Sequence, residues 1–241
     1  MEWIVEQLNM MGRVFVGLAV PMLPQSALLI GVVLLVENVL RTRVRASLRY
    51  WLVTCVLAYL VLTLCYSFFL KRIPLVDVLV IATLFTLRIV AGMALAGTPP
   101  SHWLLMFSVF FFFSLALMKR EVELGVMEPT GATVLQGRGY ALEDRTLLMC
   151  FGASSGVASL VVFALFISSM IEDHAATTYA SPQWLWGALF VLSYWVMRMW
   201  LLTARGQMND DPILYAARDR ASLILGALTA VFVLAAQLVP V

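Results

Sequence analysis

Two apolar runs decide the fold of this chain. They are YSFFLKRIPLVDVLVIATLFTLRIVAG, residues 66–92, and WLLMFSVFFFFSLALMKREVEL, residues 103–124. An α-helix needs about 20 predominantly apolar residues to cross a bilayer, and the first run meets that length. The apolar part of the second, WLLMFSVFFFFSLALM, is shorter, so we expect its helix to continue through Lys119 and Arg120, whose long stems can snorkel. Charged residues nevertheless lie within both runs, although an ionisable group at the bilayer centre costs about 2.5–3.5 kcal/mol on insertion scales. Such groups normally face a protein interior or a wet cavity, so these charges are the candidate functional residues.

The first run contains Asp77 and Arg88, which are eleven positions apart. At 3.6 residues per turn both side chains point to the same helical face, separated by about 16 Å along the axis. We therefore expect Arg88 to line the bundle interior in a functional role. The alternatives are a structural Asp–Arg ion pair between helices and a charge that snorkels to the end of the helix. The second run ends with Lys119, Arg120 and Glu123. Lys119 and Glu123 are four residues apart and share one helical face.

The composition predicts a polytopic, multi-pass integral membrane protein. The chain has 241 residues, 62% of them hydrophobic and 12% charged, with a net charge of +2. This small charge, without basic patches interleaved with aromatics, argues against nucleic-acid binding. The three cysteines, Cys55, Cys65 and Cys150, lack CxxC spacing and are expected to be small core residues. Hydrophobic runs predict an all-α bundle in one membrane domain, residues 1–241, with seven spans at about 14–36, 51–70, 75–96, 103–118, 146–171, 184–203 and 221–240.

The loops between the predicted spans differ in their positive charge. One side carries most of the lysines and arginines, in residues 119–145 and 204–220 among others. The positive-inside rule places this side in the cytoplasm and Val241 outside, and in a bacterium the membrane would be the inner membrane. The arginine-rich loop at 41–49 violates the rule. Acidic residues also gather on the cytoplasmic side, which predicts a polar, cytoplasmic-facing cavity mouth there.

A second polar cluster lies between the last two predicted spans, in RGQMNDDPILYAARDR, residues 205–220. Asn209 or Asp211 is expected to cap a helix that begins at Pro212. Asp211 and Asp219 are candidate metal ligands, because Mg²⁺ commonly uses one or two carboxylates together with substrate phosphates. The alternative is that these residues only cap the helix and form ion pairs on a solvated face.

Several motifs, taken in order, resemble those of a known family. They are Tyr66-Ser67-x-x-Leu70-Lys71, Asp77, Leu87-Arg88-x-x-Ala91-Gly92, Ser101-x-Trp103-Leu104, Lys119-Arg120-x-x-Glu123-Leu124, Arg138-Gly139-Tyr140 and Asn209-Asp210-Asp211-Pro212. The series resembles the UbiA superfamily of intramembrane prenyltransferases, and within it the decaprenyl-phosphate phosphoribosyltransferase branch. The resemblance runs from about residue 50 to the C-terminus.

The resemblance implies a transferase acting on a polyprenyl phosphate or diphosphate, by prenyl or phosphoribosyl transfer. It implies catalytic roles for Lys119, Arg120 and Glu123 and a magnesium cofactor. It also implies that the substrate-binding residues are Tyr66, Lys71, Asp77 and Arg88. Membrane lipids and the polyprenyl substrate are the expected partners.

The resemblance also implies nine helices, of which the seven predicted spans match helices three to nine. The superfamily carries an Asn-Asp-x-x-Asp-x-x-x-Asp motif between helices two and three, and this sequence has no such motif. We therefore expect the chain to begin after that motif and to be partial or inactive alone, unless a homo-oligomer or a partner chain supplies the missing helices. Whether the chain is an enzyme by itself stays open. The alternatives are a non-catalytic membrane subunit or remnant and, less favoured because the two halves lack paired Gly/Pro-interrupted segments, a transporter.

Overall fold

The computed structural model describes residues 46–96, 98, 100–128, 134–135, 137–172, 179–208 and 211–239. The first predicted span, 14–36, lies outside the described residues, as do Asn209, Asp210 and most of the arginine-rich loop. The chain divides into two units, Met1–Leu60 and Val61–Val241. All contacts described below lie within the second unit.

The described residues form α-helices, short 3₁₀ turns and one isolated β-bridge, which confirms the all-α prediction. Five of these helices are long and apolar enough to cross a membrane, and Leu57–Phe68 is a shorter apolar helical segment. The long helices begin and end close to the predicted spans. The reason is that each apolar run is long enough to cross a membrane as a helix and too long for a strand. The helices are α1 Ala46–Phe68, α2 Val76–Ala96, α3 His102–Met127, α4 Arg145–Glu172, α5 Leu185–Ala204, α6 Pro212–Arg218 and α7 Arg220–Leu238.

Helix α3 differs from the prediction at its C-terminal end. The sequence pattern ended the span near Met118 and placed residues 119–145 in a loop, with an extension through Arg120. The extension is confirmed, but the helix continues to Met127. The reason is that the charged residues after Met118 have partners inside the protein, so the helix does not need to end where the apolar run ends. Arg120 and Glu121 are both buried.

Helices α3, α4 and α5 are joined by two buried hydrogen bonds of the Ser114 hydroxyl. The Ser114 hydroxyl on α3 donates a hydrogen bond of 2.7 Å to the Gly152 carbonyl on α4 and accepts one of 3.0 Å from the Trp200 indole on α5. A Cβ atom at Gly152 would lie 2.2 Å from the Trp200 ring. Small residues at such positions let helices approach closely within a membrane. Helix α2 packs on α3, and α7 packs on α5.

Candidate functional site

A buried ion pair between α2 and α3 forms the base of the candidate site. Arg120 Nε donates a hydrogen bond of 2.8 Å to Asp77 Oδ2, and the exposed fractions of the two side chains are 1% and 0%. Both charges have been removed from water, so each depends on the other for its stability. Asp77 lies in the first turn of α2, where a carboxylate also interacts favourably with the helix dipole.

Arg88 lies three turns after Asp77 on the same continuous helix, α2, as the spacing predicts. Its side chain is exposed, and its Cζ atom lies 4.7 Å from the centroid of the Phe85 ring. Asp77 is fully buried and Arg88 is exposed, so the two side chains have different surroundings, and the lining of the bundle interior by Arg88 stays a prediction. Helical periodicity fixes the direction of a side chain around the axis, but burial depends on what packs at that height. At about 16 Å from Asp77 along α2, the surroundings are different.

Tyr140 closes the other side of the Asp77 carboxylate. Its hydroxyl donates a hydrogen bond of 2.5 Å to Asp77 Oδ1 and accepts one of 2.7 Å from the backbone N–H of Leu75. Burial and the hydrogen bond to Asp77 raise the pKa of Tyr140 above its ordinary value, so the phenol stays protonated and remains a donor. Both carboxylate oxygens of Asp77 thus have partners within the protein. Leu75 itself adopts a φ of 65°, a conformation that non-glycine residues rarely adopt.

Two guanidinium groups meet on the more exposed side of this pair. Arg120 Nη1 donates to Glu123 Oε2 at 2.5 Å and Arg120 Nη2 to the Tyr66 hydroxyl at 3.5 Å. Arg138 reaches the same two partners, with its Nη1 3.4 Å from the Tyr66 hydroxyl and its Nε 3.5 Å from Glu123 Oε2. We call Tyr66, Arg120, Glu123 and Arg138 the arginine cluster. Its two guanidiniums share the Glu123 carboxylate, and Arg120 is also paired with Asp77 beneath the cluster.

In the sequence, Arg138 stands out only as part of the Arg138-Gly139-Tyr140 motif, and no role was predicted for it. In the structure a short turn, with an isolated antiparallel bridge between Val134 and Ala141, presents Arg138 to the cluster. The glycines on either side adopt φ values of 78° at Gly137 and 72° at Gly139, and glycine takes such values at low cost. The Gly-Arg-Gly-Tyr pattern was the signal that could have indicated a tight turn displaying an arginine.

The turn is attached to the protein at several points. A Cβ atom at Gly139 would lie 2.9 Å from the Arg72 carbonyl oxygen and 3.2 Å from Pro74 Cδ, so the turn rests directly on the α1–α2 connection. Arg145, at the start of α4, donates 2.5 Å hydrogen bonds to both Glu121 and Glu128 at the end of α3. These contacts hold the two ends of the α3–α4 connection together.

The other predicted site residues, two lysines and two aspartates, are not part of the arginine cluster. Lys71 is half-buried in the 3₁₀ turn Leu70–Arg72 that follows α1. Lys119 forms an ion pair with Asp211, and the Asp211 side chain also accepts a hydrogen bond from Ile213 N at the start of α6. The predicted cap before Pro212 is thus confirmed. Asp219 instead binds Arg198 at 2.6 Å and caps α7.

The two aspartates predicted as metal ligands therefore have separate cationic partners. Burial tends to raise the pKa of Asp211, but Lys119 and backbone N–H groups lower it overall. The same competition leaves the pKa of Asp219 at about 2, through hydrogen bonds from Arg198 and Ser222. Among the residues that the structure describes, no group of three or more His, Cys, Asp or Glu side chains is arranged to hold a metal ion. The carboxylates of Glu123, Asp211 and Asp219 already face cations, so these described residues do not fit a magnesium site.

Three relatives share much of this chain. It is 46% identical over 172 residues to an uncharacterized protein, y4nM, of Sinorhizobium fredii. The aligned region covers 71% of this chain and 33% of that protein. It is 34% identical over 168 residues to the nodulation protein NoeC of Azorhizobium caulinodans, which covers 69% of this chain and 53% of that one. It is 27% identical over 170 residues to a decaprenyl-phosphate phosphoribosyltransferase of Mycolicibacterium smegmatis, which covers 69% and 52%.

The chain thus spans between a third and about half of the length of these relatives. No protein-family model matches it. The similarity to a decaprenyl-phosphate phosphoribosyltransferase and to NoeC supports the relationship to UbiA-like prenyltransferases that the motifs indicate.

Proposed function

We propose that this chain forms the phosphate-binding part of a UbiA-type membrane transferase that transfers a phosphoribosyl group to a polyprenyl phosphate. The observation that carries the proposal is the arginine cluster, in which Arg120 and Arg138 converge on Tyr66 and Glu123 at the end of α3. The relative from Mycolicibacterium smegmatis and the membrane-spanning helices support the reaction class. Prenyl transfer to another acceptor is the other reaction within the same class.

The proposed reaction moves negative charge onto a leaving group. An oxygen of the lipid phosphate forms a bond to C1 of the ribose, and the bond from C1 to the diphosphate oxygen breaks. The electron pair of that bond leaves with the diphosphate. Guanidinium groups suit this step because their fork of N–H donors matches the oxygens of a phosphate, and fixed donors stabilise developing charge without reorganisation.

Arg120 meets the requirement for a fixed donor. Asp77 holds its Nε from behind, which leaves both Nη groups directed toward the cluster. Because Asp77 is fully buried and its oxygens already have partners, we propose that it positions Arg120 rather than contacting substrate. Glu123 then orients the two guanidiniums until a substrate phosphate replaces it.

Other residues that the sequence predicted for the site also have proposed roles. Lys119, which precedes Arg120 on α3 and is paired with Asp211 at the start of α6, is proposed to add a cation near the mouth of the site. Lys71 and Tyr66 are proposed phosphate ligands, and a substrate-binding role for Arg88 stays a prediction. Magnesium also stays a prediction from the resemblance. The proposed location is the bacterial inner membrane with the site open to the cytoplasm.

The test is a transferase assay on the full chain in lipid nanodiscs. The nanodiscs contain decaprenyl phosphate, and phosphoribosyl diphosphate and Mg²⁺ are added; mass spectrometry measures the lipid-linked phosphoribose. A parallel reaction uses a polyprenyl diphosphate and an aromatic acceptor. We expect little turnover by the chain alone and recovery when a fragment with two further helices and the Asp-rich motif of the superfamily is co-expressed.

Three variants connect the activity to the cluster. Arg120→Lys and Glu123→Gln should lower turnover at least tenfold, whereas Arg205→Gln, at an exposed arginine just after α5, should leave it unchanged. Turnover that survives both cluster variants would refute the assignment. Turnover in neither reaction, with or without the fragment, would refute the transferase function itself. Robust turnover by the chain alone would show that the fragment is dispensable.

A further inference from the structure

We propose that Arg138 is a substrate ligand in its own right, which exchanges Tyr66 and Glu123 for the diphosphate oxygens of the water-soluble donor. This inference rests on the proposed function and adds a specificity-determining residue to it. Three properties of Arg138 carry the inference: its long contacts, the fixed turn that presents it, and its position outside the membrane-spanning helices.

The contacts of Arg138 are longer than those of Arg120. Arg138 lies 3.4 Å from the Tyr66 hydroxyl and 3.5 Å from Glu123 Oε2, whereas Arg120 binds Asp77 at 2.8 Å and Glu123 at 2.5 Å. Hydrogen bonds of N–H groups to oxygen are normally 2.7–3.2 Å long, so the two contacts of Arg138 are weak. Its side chain is also 29% exposed, against 1% for Arg120. Replacing these two contacts with phosphate oxygens therefore costs Arg138 little.

The backbone that carries Arg138 is fixed while its side chain remains accessible. Tyr140 anchors the turn to Asp77, and Leu135 N donates a 2.7 Å hydrogen bond to the Tyr140 carbonyl across it. Gly139 rests on the Arg72 carbonyl. A fixed backbone with an accessible guanidinium is the arrangement that binds a ligand without first ordering a loop.

The position of Arg138 selects the source of the phosphate. The turn lies between the candidate spans His102–Met127 and Leu142–Glu172, so Arg138 approaches the cluster from the aqueous side. A lipid phosphate stays at the bilayer surface, whereas a soluble diphosphate arrives from water. The guanidiniums of the arginine cluster can bind either anion, but Arg138 is placed to meet the soluble one.

The experiment measures two affinities of the full chain in nanodiscs, with and without the co-expressed fragment. Calorimetric titration with phosphoribosyl diphosphate, and with inorganic diphosphate, reports the soluble ligand; native mass spectrometry reports retained decaprenyl phosphate. Arg138→Gln should weaken diphosphate binding by roughly 10- to 100-fold, the range for hydrogen bonds to charged groups, and leave lipid binding unchanged. Arg138→Lys should recover part of the loss, because it keeps the charge but not the fork.

Two glycines of the turn provide a matched pair. Gly137→Ala and Gly139→Ala both place a side chain at a positive φ, but only the Cβ at residue 139 meets a backbone oxygen, at 2.9 Å. We expect Gly139→Ala to displace Arg138 and weaken diphosphate binding further than Gly137→Ala does. Equal effects of the two would show that the seating of the turn on Arg72 does not position Arg138.

The outcomes separate this inference from the function on which it rests. If Arg120→Gln abolishes diphosphate binding and Arg138→Gln does not weaken it, Arg138 is not a ligand and the proposed function stands. If Arg138→Gln weakens lipid binding instead, the assignment to the soluble donor is overturned. If the unmodified chain binds neither ligand, with or without the fragment, the proposed function fails. A folding defect in Arg138→Gln is detected by its melting temperature, and Arg138→Lys then decides.

Discussion

Asp77→Asn is the substitution that most directly tests the buried pair beneath the site. The asparagine keeps the shape of the aspartate but has only one side-chain oxygen. If that oxygen accepts from Tyr140, the amide N–H groups face the Arg120 Nε–H, and if it accepts from Arg120, the interaction loses its ionic character. Breaking a buried pair by removing one partner costs about 3–5 kcal/mol, because the other charge stays buried without compensation. Arg120 retains Glu123, whose side chain is 27% exposed, so we expect the lower end, about 3 kcal/mol. That is a decrease of about 100-fold in the ratio of folded to unfolded protein.

Equilibrium unfolding by sodium dodecyl sulfate in mixed micelles, followed by circular dichroism, gives the free energy of unfolding. Glu143→Gln is the control, because it neutralises an exposed carboxylate in the neighbouring 3₁₀ turn. Tyr140→Phe should cost about 1.5–3 kcal/mol for the lost hydrogen bond to the charged Asp77, and it also removes the acceptor of the Leu75 N–H. The double replacement Asp77→Leu with Arg120→Met should regain most of the stability but not ligand binding, since an apolar pair needs no compensation.

Two results would refute this reasoning. An Asp77→Asn variant within about 1 kcal/mol of the Glu143→Gln control, a difference typical of surface substitutions, would show that the pair contributes little. A double apolar variant as unstable as Asp77→Asn would assign the loss to packing rather than to an uncompensated charge.

Three further predictions concern other parts of the chain. Gly152→Ala should lower the free energy of unfolding by about 1–3 kcal/mol through overpacking. Gly92→Ala is the control, because no heavy atom lies within 4 Å of its new Cβ, and it should cause no such loss. Equal losses in the two variants would contradict the prediction. Burial tends to raise the pKa of Asp219, but hydrogen bonds from Arg198 and Ser222 lower it overall, from 3.8 to about 2. The ionised Asp219 therefore stabilises the fold above about pH 4, and this stabilisation is lost toward pH 2. The difference in unfolding free energy between the unmodified chain and Asp219→Asn should shrink over that range, and a constant difference would disprove the linkage. In a cysteine-free background, an impermeant thiol reagent added outside should label Thr178→Cys and not Leu135→Cys; the reverse would overturn the orientation.

Sequence patterns predicted the features that depend on neighbouring residues. The long apolar runs predicted the spans, and the cap at Asp211 followed from the proline after it, because both signals act over one helix or one turn. The partners of the charged residues were less predictable. Asp77 and Arg120 are 43 positions apart, and the helical spacing that pointed to Arg88 contains no information about which helix packs at a given height.

The role of the α3–α4 connection was the larger omission. The sequence predicted only a charged loop at residues 119–145. The position of Arg138 depends on left-handed backbone angles at two glycines and on a phenol that reaches across 63 positions to Asp77. Such contacts arise from the packing of the assembled helices, so a single sequence does not show them. The residues themselves were visible, because Arg138-Gly139-Tyr140 belonged to the motifs that carried the resemblance.

The order of synthesis gives the Asp77 ion pair a consequence for how the protein enters the membrane. Asp77 is translated before its partners, which follow 43 residues later at Arg120 and 63 residues later at Tyr140. At about 5–20 residues per second, the ribosome needs roughly 2–9 s to reach Arg120 and 3–13 s to reach Tyr140. During this interval the carboxylate has neither partner, and because it lies in the first turn of α2 it can remain in water at the membrane surface. The burial of Asp77 should therefore be a late step of assembly, which follows only after α3 and the α3–α4 connection have packed against α2.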